Sequence, residues 1–550
     1  SSAASDVYKR QVQRPLLWER LQGLGLHGNT LDTIRHLYQQ VSMRVKLDGR
    51  ISDVFDNVLG VKQGDPLSPT LFGTFIEVLP EFFQALSKLP DHAGLLDSCP
   101  SMEGLAVFYL FYADDMVLMS RDPCKLQQML DALSNVCSKL CMQVNISKTE
   151  VVIFNVRGRQ AQHAGFTYQG STLRIVPSAK YLGMWFGSDG KQGNQQLLAD
   201  AAARAANMLR STLNRMGTVT IANQLQLFNT LVRPILSYGC QVWAVPLLYL
   251  PKRNAARDAY YPDNELEKVQ IAFVRAVLGL GSKSTKWCAM YDAGMESMQV
   301  YWLRAILRFW NDMRASENAL VVATCKADLR LVLQRIKKSW SYGLCRFLAE
   351  LGDRMHAHDA DVQPVFEEPY QSALLATGQF PDGMYDYLLH FNMDIDSICR
   401  LLDQFWRDQV LSVVGDDPRS RICPHVELSE FVCNTGVMAQ KHGFGAHLKV
   451  AASRQACICY MRFRQNRWRL NSVTGTWLGT RKNCPHCDAA FEDRKHVIFE
   501  CPRYSSIRAV HSSLFTDAYT CSMDLKAWIN QHEQAQLVVC INSMHDMRFA

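Results

Sequence analysis

The sequence predicts an α+β chain, and three observations carry that prediction. The run from Leu105 to Met119 is apolar, β-branched and aromatic on both sides of Asp114 and Asp115. That pattern suggests two strands with the acidic pair at the tight turn between them. Ser42 to Phe55 alternates, with Val45, Leu47, Ile51 and Val54 around Asp48-Gly49, which is a hairpin signal. From Gln192 onward, apolar residues recur mainly at helical spacing.

Composition sets bounds on function. The 550 residues are enough for several domains. The hydrophobic content of 48% and charged content of 20% are those of a globular protein. The net charge of +7 is mild, so its distribution matters more than its sum. Eighteen cysteines in so long a chain do not make a disulfide scaffold. Without a signal peptide they read as reduced thiols of the cytoplasm or nucleus, some of them metal ligands, and not as those of a secreted protein. The longest uncharged apolar stretch, Pro234 to Leu250, is short for a membrane span and reads as buried core.

Two like charges side by side at a hairpin tip are costly unless a cation sits there. Mg²⁺ prefers one or two carboxylates plus substrate phosphates. A pair of such ions can activate an attacking hydroxyl and stabilise a leaving pyrophosphate, which is nucleotidyl-transfer chemistry. Alone, an Asp-Asp pair is more often a solvated turn. Two neighbours overturn that reading. Upstream stands Gly60-Val61-Lys62-Gln63-Gly64-Asp65-Pro66-Leu67-Ser68-Pro69, and downstream Asn145-Ile146-Ser147-Lys148-Thr149-Glu150.

In order and spacing, these two segments and Tyr112-Ala113-Asp114-Asp115 resemble the palm motifs of reverse transcriptases, and most closely those of the non-LTR (LINE-type) retrotransposons. The resemblance covers roughly residues 13 to 280. It implies a right-hand polymerase palm with partial fingers over 12–190 and an α-helical thumb over 191–290; beyond it, helical apolar spacing reads 291–440 as a helical region of unknown role. The resemblance also implies RNA-directed DNA polymerase activity with Mg²⁺ held by Asp114 and Asp115. Gln63, Gly64 and Tyr112 would line the nucleotide and template site, and Lys148 would sit near the substrate phosphates. The partners implied are an RNA template, a DNA primer or target, and deoxynucleoside triphosphates, with no membrane.

Residues 1–11 depart from the family. Counting back from Val12 puts Ala4 where the family carries its first metal-binding Asp, and Asp6 is two residues out of register. The expectation is a non-matching leader, such as a scar, on a chain whose true upstream segment is missing. The alternative is a catalytically inactive, RNA-binding retroelement remnant.

The remaining elements follow in order. Pro15 to Tyr38 fits two helices broken by Gly23, Gly25 and Gly28. Pro69 starts a helix expected to reach Leu79. Leu126 to Leu140 is helical, and a strand is expected over Val151 to Phe154. Tyr181-Leu182-Gly183 resembles the family's short hairpin that grips the primer end. Gln192 to Met216 is strongly helical, with Leu197, Ala201, Ala205, Met208 and Leu213 as its expected buried stripe. Pro262 to Glu265 reads as a helix cap, not a nuclease motif. Trp302, Ile306, Phe309, Trp310 and Met313 form one apolar stripe; Leu329, Val332, Ile336 and Trp340 form another. Asp359 to Pro369 reads as a linker; Cys423, His425 and Cys433 have the chemistry to bind a metal, but free, scattered thiols at the two cysteines are the simpler reading.

Residues 441–550 form a basic C-terminal region. Lys441 to Lys482 contains no acidic residue, and its arginines alternate with Phe444, Tyr460, Phe463, Trp468 and Trp477. Guanidinium groups bind phosphate and aromatic rings stack on bases. Arg462, Arg464, Arg467, Trp468 and Arg469 are therefore the expected nucleic-acid contacts. Cys484-x2-Cys487 is followed by His496 and Cys501. Three thiolates and an imidazole at this spacing predict a closed structural Zn²⁺ site over 484–501. The set also resembles the Cys-Cys-His-Cys finger that follows the polymerase in many LINE-type elements.

Overall fold

The computed structural model describes most of residues 12–415, with parts of 454–549. Residues 1–11, 155–164, 251–263, 416–453, 471–481 and 516–527, with several shorter stretches, fall outside that description. Ala4, Cys423, His425 and Cys433 are among them. The chain contains two compact units: Ser1–Gly193 with Asn318–Ala327, and Asn194–Glu317 with Asp328–Ala550.

The first unit begins with α1 (Arg14–Gly23) and α2 (Asn29–Gln39), separated by the glycines that the sequence places there. β1 (Ser42–Met43), β2 (Lys46–Leu47), β3 (Arg50–Ile51) and β4 (Phe55–Asp56) make the expected hairpin, β2 pairing with β3 and β1 with β4. Asp48 and Gly49 both take positive φ (+47° and +80°) at its turn, as a two-residue type I′ loop requires. Its alternation implied one buried face, yet Val45, Leu47, Ile51 and Val54 are all exposed, because no described element covers either side.

The helix expected from Pro69 to Leu79 is broken at Glu77 into α3 (Ser68–Ile76) and α4 (Val78–Leu86). Five further pairs of short strands follow, all two-stranded among the described residues. β5 (Ser101–Met102) pairs with β6 (Leu105–Ala106), and β7 (Tyr109–Tyr112) with β8 (Asp115–Leu118). After α5 (Pro123–Lys139), β9 (Glu150–Val151) is shorter than the strand expected there. β10 (Thr167–Tyr168) pairs with β11 (Ser171–Thr172), β12 (Arg174–Ile175) runs parallel to β9, and β13 (Ser178–Tyr181) pairs with β14 (Met184–Gly187). α5 starts where it does because Asp122 accepts a hydrogen bond from Cys124 N (2.8 Å) and Pro123 fills the first helical position.

Two apolar clusters hold this unit together. One joins α1, α2 and α3 through Leu17, Leu31, Tyr38, Phe72 and Phe75. The other joins α4, α5 and the strands through Phe83, Phe108, Met129, Leu133 and Tyr168. Each such large side chain contributes about 1.5–3 kcal/mol on burial.

The second unit is mainly helical. It comprises α6 (Asn194–Met216), α7 (Ile221–Leu231), α8 (Glu265–Val277), α9 (Met298–Ala315), α10 (Trp340–His356), α11 (Ile395–Gly415), α12 (Arg454–Arg464), α13 (Ser505–Val510) and α14 (Gln534–Phe549), with further helices between them; the helix Ala319–Leu333 begins in the segment assigned to the first unit and ends in the second. Side-chain caps start four of them: Thr220, Asn264, Ser297 and Ser339. Asn264 accepts from Glu267 N at 2.8 Å, as the cap reading of Pro262–Glu265 requires.

The buried face of α6 differs from the expected one. Ala199, Ala202, Ala206 and Leu213 are buried, whereas Leu197 and Met208 are exposed. The small alanines let α8 approach closely, and that contact outweighs burying the two larger side chains. Trp302, Ile306 and Trp310 of α9 are fully buried. Leu329 and Val332 are buried too, but Ile336 lies past the end of its helix and is exposed. The expected linker at 359–369 is mostly exposed, but it is anchored at one point. Phe366 is fully buried with its ring 5.5 Å from that of Phe391, and Glu367 N donates to Tyr387 Oη. A buried carboxylate, Glu296, fastens α9 to its neighbours by ion pairs to Arg233 (2.8 Å) and Arg304 (2.5 Å). Among the described residues, no helix is long and apolar enough to cross a membrane.

Candidate functional site

The acidic turn is built as a hairpin with a fixed root and an exposed tip. β7 and β8 pair as Tyr109↔Leu118, Leu110↔Val117, Phe111↔Met116 and Tyr112↔Asp115, leaving a two-residue loop. Ala113 closes that loop with φ +55°. At the root, the Tyr109 ring lies 4.6 Å from Phe108 and stacks on Phe83 at 6.0 Å. At the tip, Tyr112 is 65% exposed and Asp115 is exposed. Asp114 lies outside the described residues.

A second tight hairpin, β13–β14, turns through Leu182 (φ +47°) and Gly183 (φ +81°). Burial, and after it the charge of Asp115, raises the pKa of Tyr181. The hairpin expected to resemble a primer-gripping element is therefore within electrostatic reach of the first hairpin's carboxylate.

Gln63 and Gly64 also lie outside the described residues, but the segments flanking them are well anchored. Ser68 Oγ donates to Lys62 O (2.5 Å) and is 3.2 Å from Tyr38 Oη. Asp65 Oδ1 accepts from Leu67 N (2.9 Å). Arg14, 8% exposed, donates from Nε to Gly60 O and from Nη1 to Tyr38 O, both at 3.0 Å. Burial lowers the Arg14 pKa. Sequence reasoning missed Arg14 and Tyr38 as the clamp on this loop. No signal in one sequence marks them, since each looks like an ordinary helix residue.

Lys148 is exposed in a single 3₁₀ turn, Ile146–Lys148, directly before β9. Asn145 organises that turn: its carbonyl accepts from Lys148 N and Thr149 N, both at 3.1 Å, and its side chain from Ser147 Oγ at 2.7 Å.

In the second unit the structure brings Cys484, Cys487, His496 and Cys501 together. One ligand atom from each lies within 4.8 Å of the others. Cys484 Sγ is 3.8 Å from Cys501 Sγ, and Cys487 Sγ is 3.3 Å from His496 Nε2. His496 opens a short π-helix, His496–Glu500, whose one-turn span places its ring near Glu500; His496 Nδ1 is 3.2 Å from Glu500 Oε2. That contact orients the imidazole so that Nε2 faces the thiols. Three sulfurs and one nitrogen, largely buried and convergent, suit a tetrahedral ion.

The basic stretch before this cluster behaves differently from its expectation. Trp468 is 2% exposed, and its Nε1 donates to Cys459 O (3.1 Å), so its ring offers no surface to a base. Tyr460 and Phe463 are fully buried. Arg462 is half-buried and donates from Nε to Gly279 O (2.7 Å), an internal anchor. The physical reason is packing: α12 lies between α14 and the chain around Gly279, so its aromatics form core. Arg467, Arg469 and the side chain of Arg464 lie outside the described residues. The cluster itself is locked to the chain's last helix, because Arg548 reaches the fully buried Glu492 through two contacts, of 2.6 and 2.7 Å.

Comparison with known proteins agrees with this geometry. Residues 8–186 match the family model described as reverse transcriptase (RNA-dependent DNA polymerase). The chain therefore carries a reverse transcriptase domain. Its relatives narrow the kind. A retrovirus-related Pol polyprotein from the type-2 retrotransposable element R2DM of Drosophila melanogaster is 27% identical over 290 residues, 50% of this chain and 25% of that protein. A probable RNA-directed DNA polymerase from transposon BS, also of Drosophila melanogaster, is 27% identical over 230 residues, 40% of this chain and 22% of that protein. A retrovirus-related Pol polyprotein from the type-1 element R2 of Popillia japonica is 25% identical over 185 residues, 32% of this chain and 29% of that protein. The domain is that of a non-LTR retrotransposon reverse transcriptase, and the chain spans about a quarter of the length of these relatives.

Proposed function

We propose that the chain is part of an RNA-directed DNA polymerase, with fingers and palm over 12–190 and a thumb over 191–290, that copies an RNA template from a DNA primer. The observation that carries the reading is the β7–β8 hairpin, whose root is fixed in the core and whose tip exposes Asp115. Asp115 has no ion-pair partner among the described residues, so a cation is its natural complement. Asp114 and Asp115 would hold Mg²⁺, which when bound would supply charge stabilisation for the attacking hydroxyl and the departing pyrophosphate. Gln63, whose amide can both donate and accept, and Gly64 shape the nucleotide pocket. Tyr112 borders that pocket, and Lys148 neutralises charge on the triphosphate.

The Cys484–Cys487–His496–Cys501 set holds structural Zn²⁺, and the remaining basic residues Arg464, Arg467 and Arg469 contact nucleic acid. A polymerase of this kind works in the nucleus or cytoplasm.

The test is incorporation of deoxynucleotides on an RNA template with an annealed DNA primer. Because residues 1–11 depart from the family and put Ala4 where it carries its first metal-binding Asp, replacing them with a family-like segment should raise synthesis above that of the unchanged chain. Asp115→Asn in that background should lower it by about 100-fold or more, since charge stabilisation of this kind is worth several kcal/mol. Synthesis that survives both Asp114→Asn and Asp115→Asn would contradict the assignment. RNA binding without synthesis in every form would favour the inactive remnant.

A further inference from the structure

Arg174 stands out among the groups near the proposed site because its two partners bracket Lys148. It lies on β12, directly opposite Glu150 of β9 in the parallel pair, and Val176 N donates to Val151 O (2.9 Å) just beyond. One guanidinium nitrogen, Nη2, donates to Ser147 O at 2.9 Å and to Glu150 Oε1 at 2.8 Å. Ser147 precedes Lys148, and Glu150 follows it by two residues. Lys148 itself makes no ion pair among the described residues.

We propose that Arg174 is a positioning residue that keeps the Lys148 ammonium available to the substrate triphosphate. Glu150 is the carboxylate best placed in sequence to capture that ammonium. Arg174 occupies it and, through Ser147 O, ties the 3₁₀ turn to β12. The inference rests on the role given to Lys148 under the polymerase reading. Stability is not the issue: the pair is partly exposed, with side-chain exposures of 62% for Arg174 and 27% for Glu150, so water screens it. What matters is competition. Without Arg174, Glu150 would be a free anion two residues from Lys148, and an exposed pair of that kind is strong enough to withdraw Lys148 about threefold.

The experiment measures binding of an α,β-imido deoxynucleoside triphosphate with Mg²⁺ to the full chain carrying an annealed RNA template and DNA primer. Lys148→Ala sets the full loss of the ammonium. Arg174→Gln should weaken binding about threefold. Arg174→Gln combined with Glu150→Gln should recover to within about twofold of the unchanged chain, because no carboxylate then competes. A merely structural role for Arg174 would not be rescued by neutralising Glu150. If Lys148→Ala weakens binding but Arg174→Gln does not, the inference falls and the polymerase reading stands. If the double variant is as weak as Arg174→Gln alone, Arg174 acts through the turn and not through Glu150, and the proposal is overturned. If Lys148→Ala has no effect, the role of Lys148 under the polymerase reading fails, and this inference fails with it.

Discussion

The β7–β8 hairpin and the cysteine–histidine cluster both present chemistry-bearing side chains, but they hold them in opposite ways. The hairpin packs its half-buried aromatic root against the core and leaves Tyr112 and Asp115 in solvent. The cluster buries its ligands and surrounds them with structural contacts: Arg508 donates to Cys501 O (2.6 Å) and Ile498 O (3.2 Å), and Arg548 grips Glu492. The difference is the one expected if the hairpin tip is, as proposed, a site that exchanges substrates and the cluster is a closed one. An exposed carboxylate can take up and release a hydrated cation with its phosphates. A closed set of thiolates and imidazole holds an ion for the sake of the fold.

The largest effect should come from the closed site. Folding of such a segment is coupled to its metal. Chelation, or Cys487→Ser together with Cys501→Ser, should expose 484–501 and release α14, whose Arg548 then loses its seat at Glu492. Hydrogen exchange over 484–501 and 534–549 reads this directly. Equal protection with and without metal would show that the cluster folds unaided. A smaller effect contrasts two aromatic residues, one from each region. Trp468→Ala should destabilise its unit by about 3–5 kcal/mol, as for a buried large side chain. Tyr112→Ala should change stability by no more than about 0.5 kcal/mol, because the ring is exposed. Thermal melting of both variants checks the pair. A Trp468→Ala chain that melts unchanged but binds RNA more weakly would restore the stacking role.

What the sequence revealed follows the same division. The β7–β8 hairpin was legible because an acidic turn inside an apolar, β-branched run admits few conformations. Asp48-Gly49 was legible because only certain residues tolerate two positive φ angles in succession. Cys484, Cys487, His496 and Cys501 were legible because ligand spacing is local. The nucleic-acid role expected of Trp468 was not, because whether an aromatic residue among arginines faces water depends on what packs over it. Here α14 does so, with the His545 ring 5.5 Å from that of Trp468. The face of α6 was misjudged for a similar reason, since alanines that permit close helix contact look weaker in sequence than Leu197 and Met208. Arg14 and Tyr38 clamp a loop that starts more than twenty residues away from either, a relation only the fold creates.

The central claim is that the β7–β8 tip binds a divalent cation. It is tested most directly by replacing Mg²⁺ with Fe²⁺ in the full chain, adding ascorbate, and mapping where the backbone is cut. The account predicts cleavage next to Asp114 and Asp115, suppressed by excess Mg²⁺ and lost when both are changed to Asn. No cleavage at the tip, or cleavage at the tip that persists without both carboxylates, would contradict it.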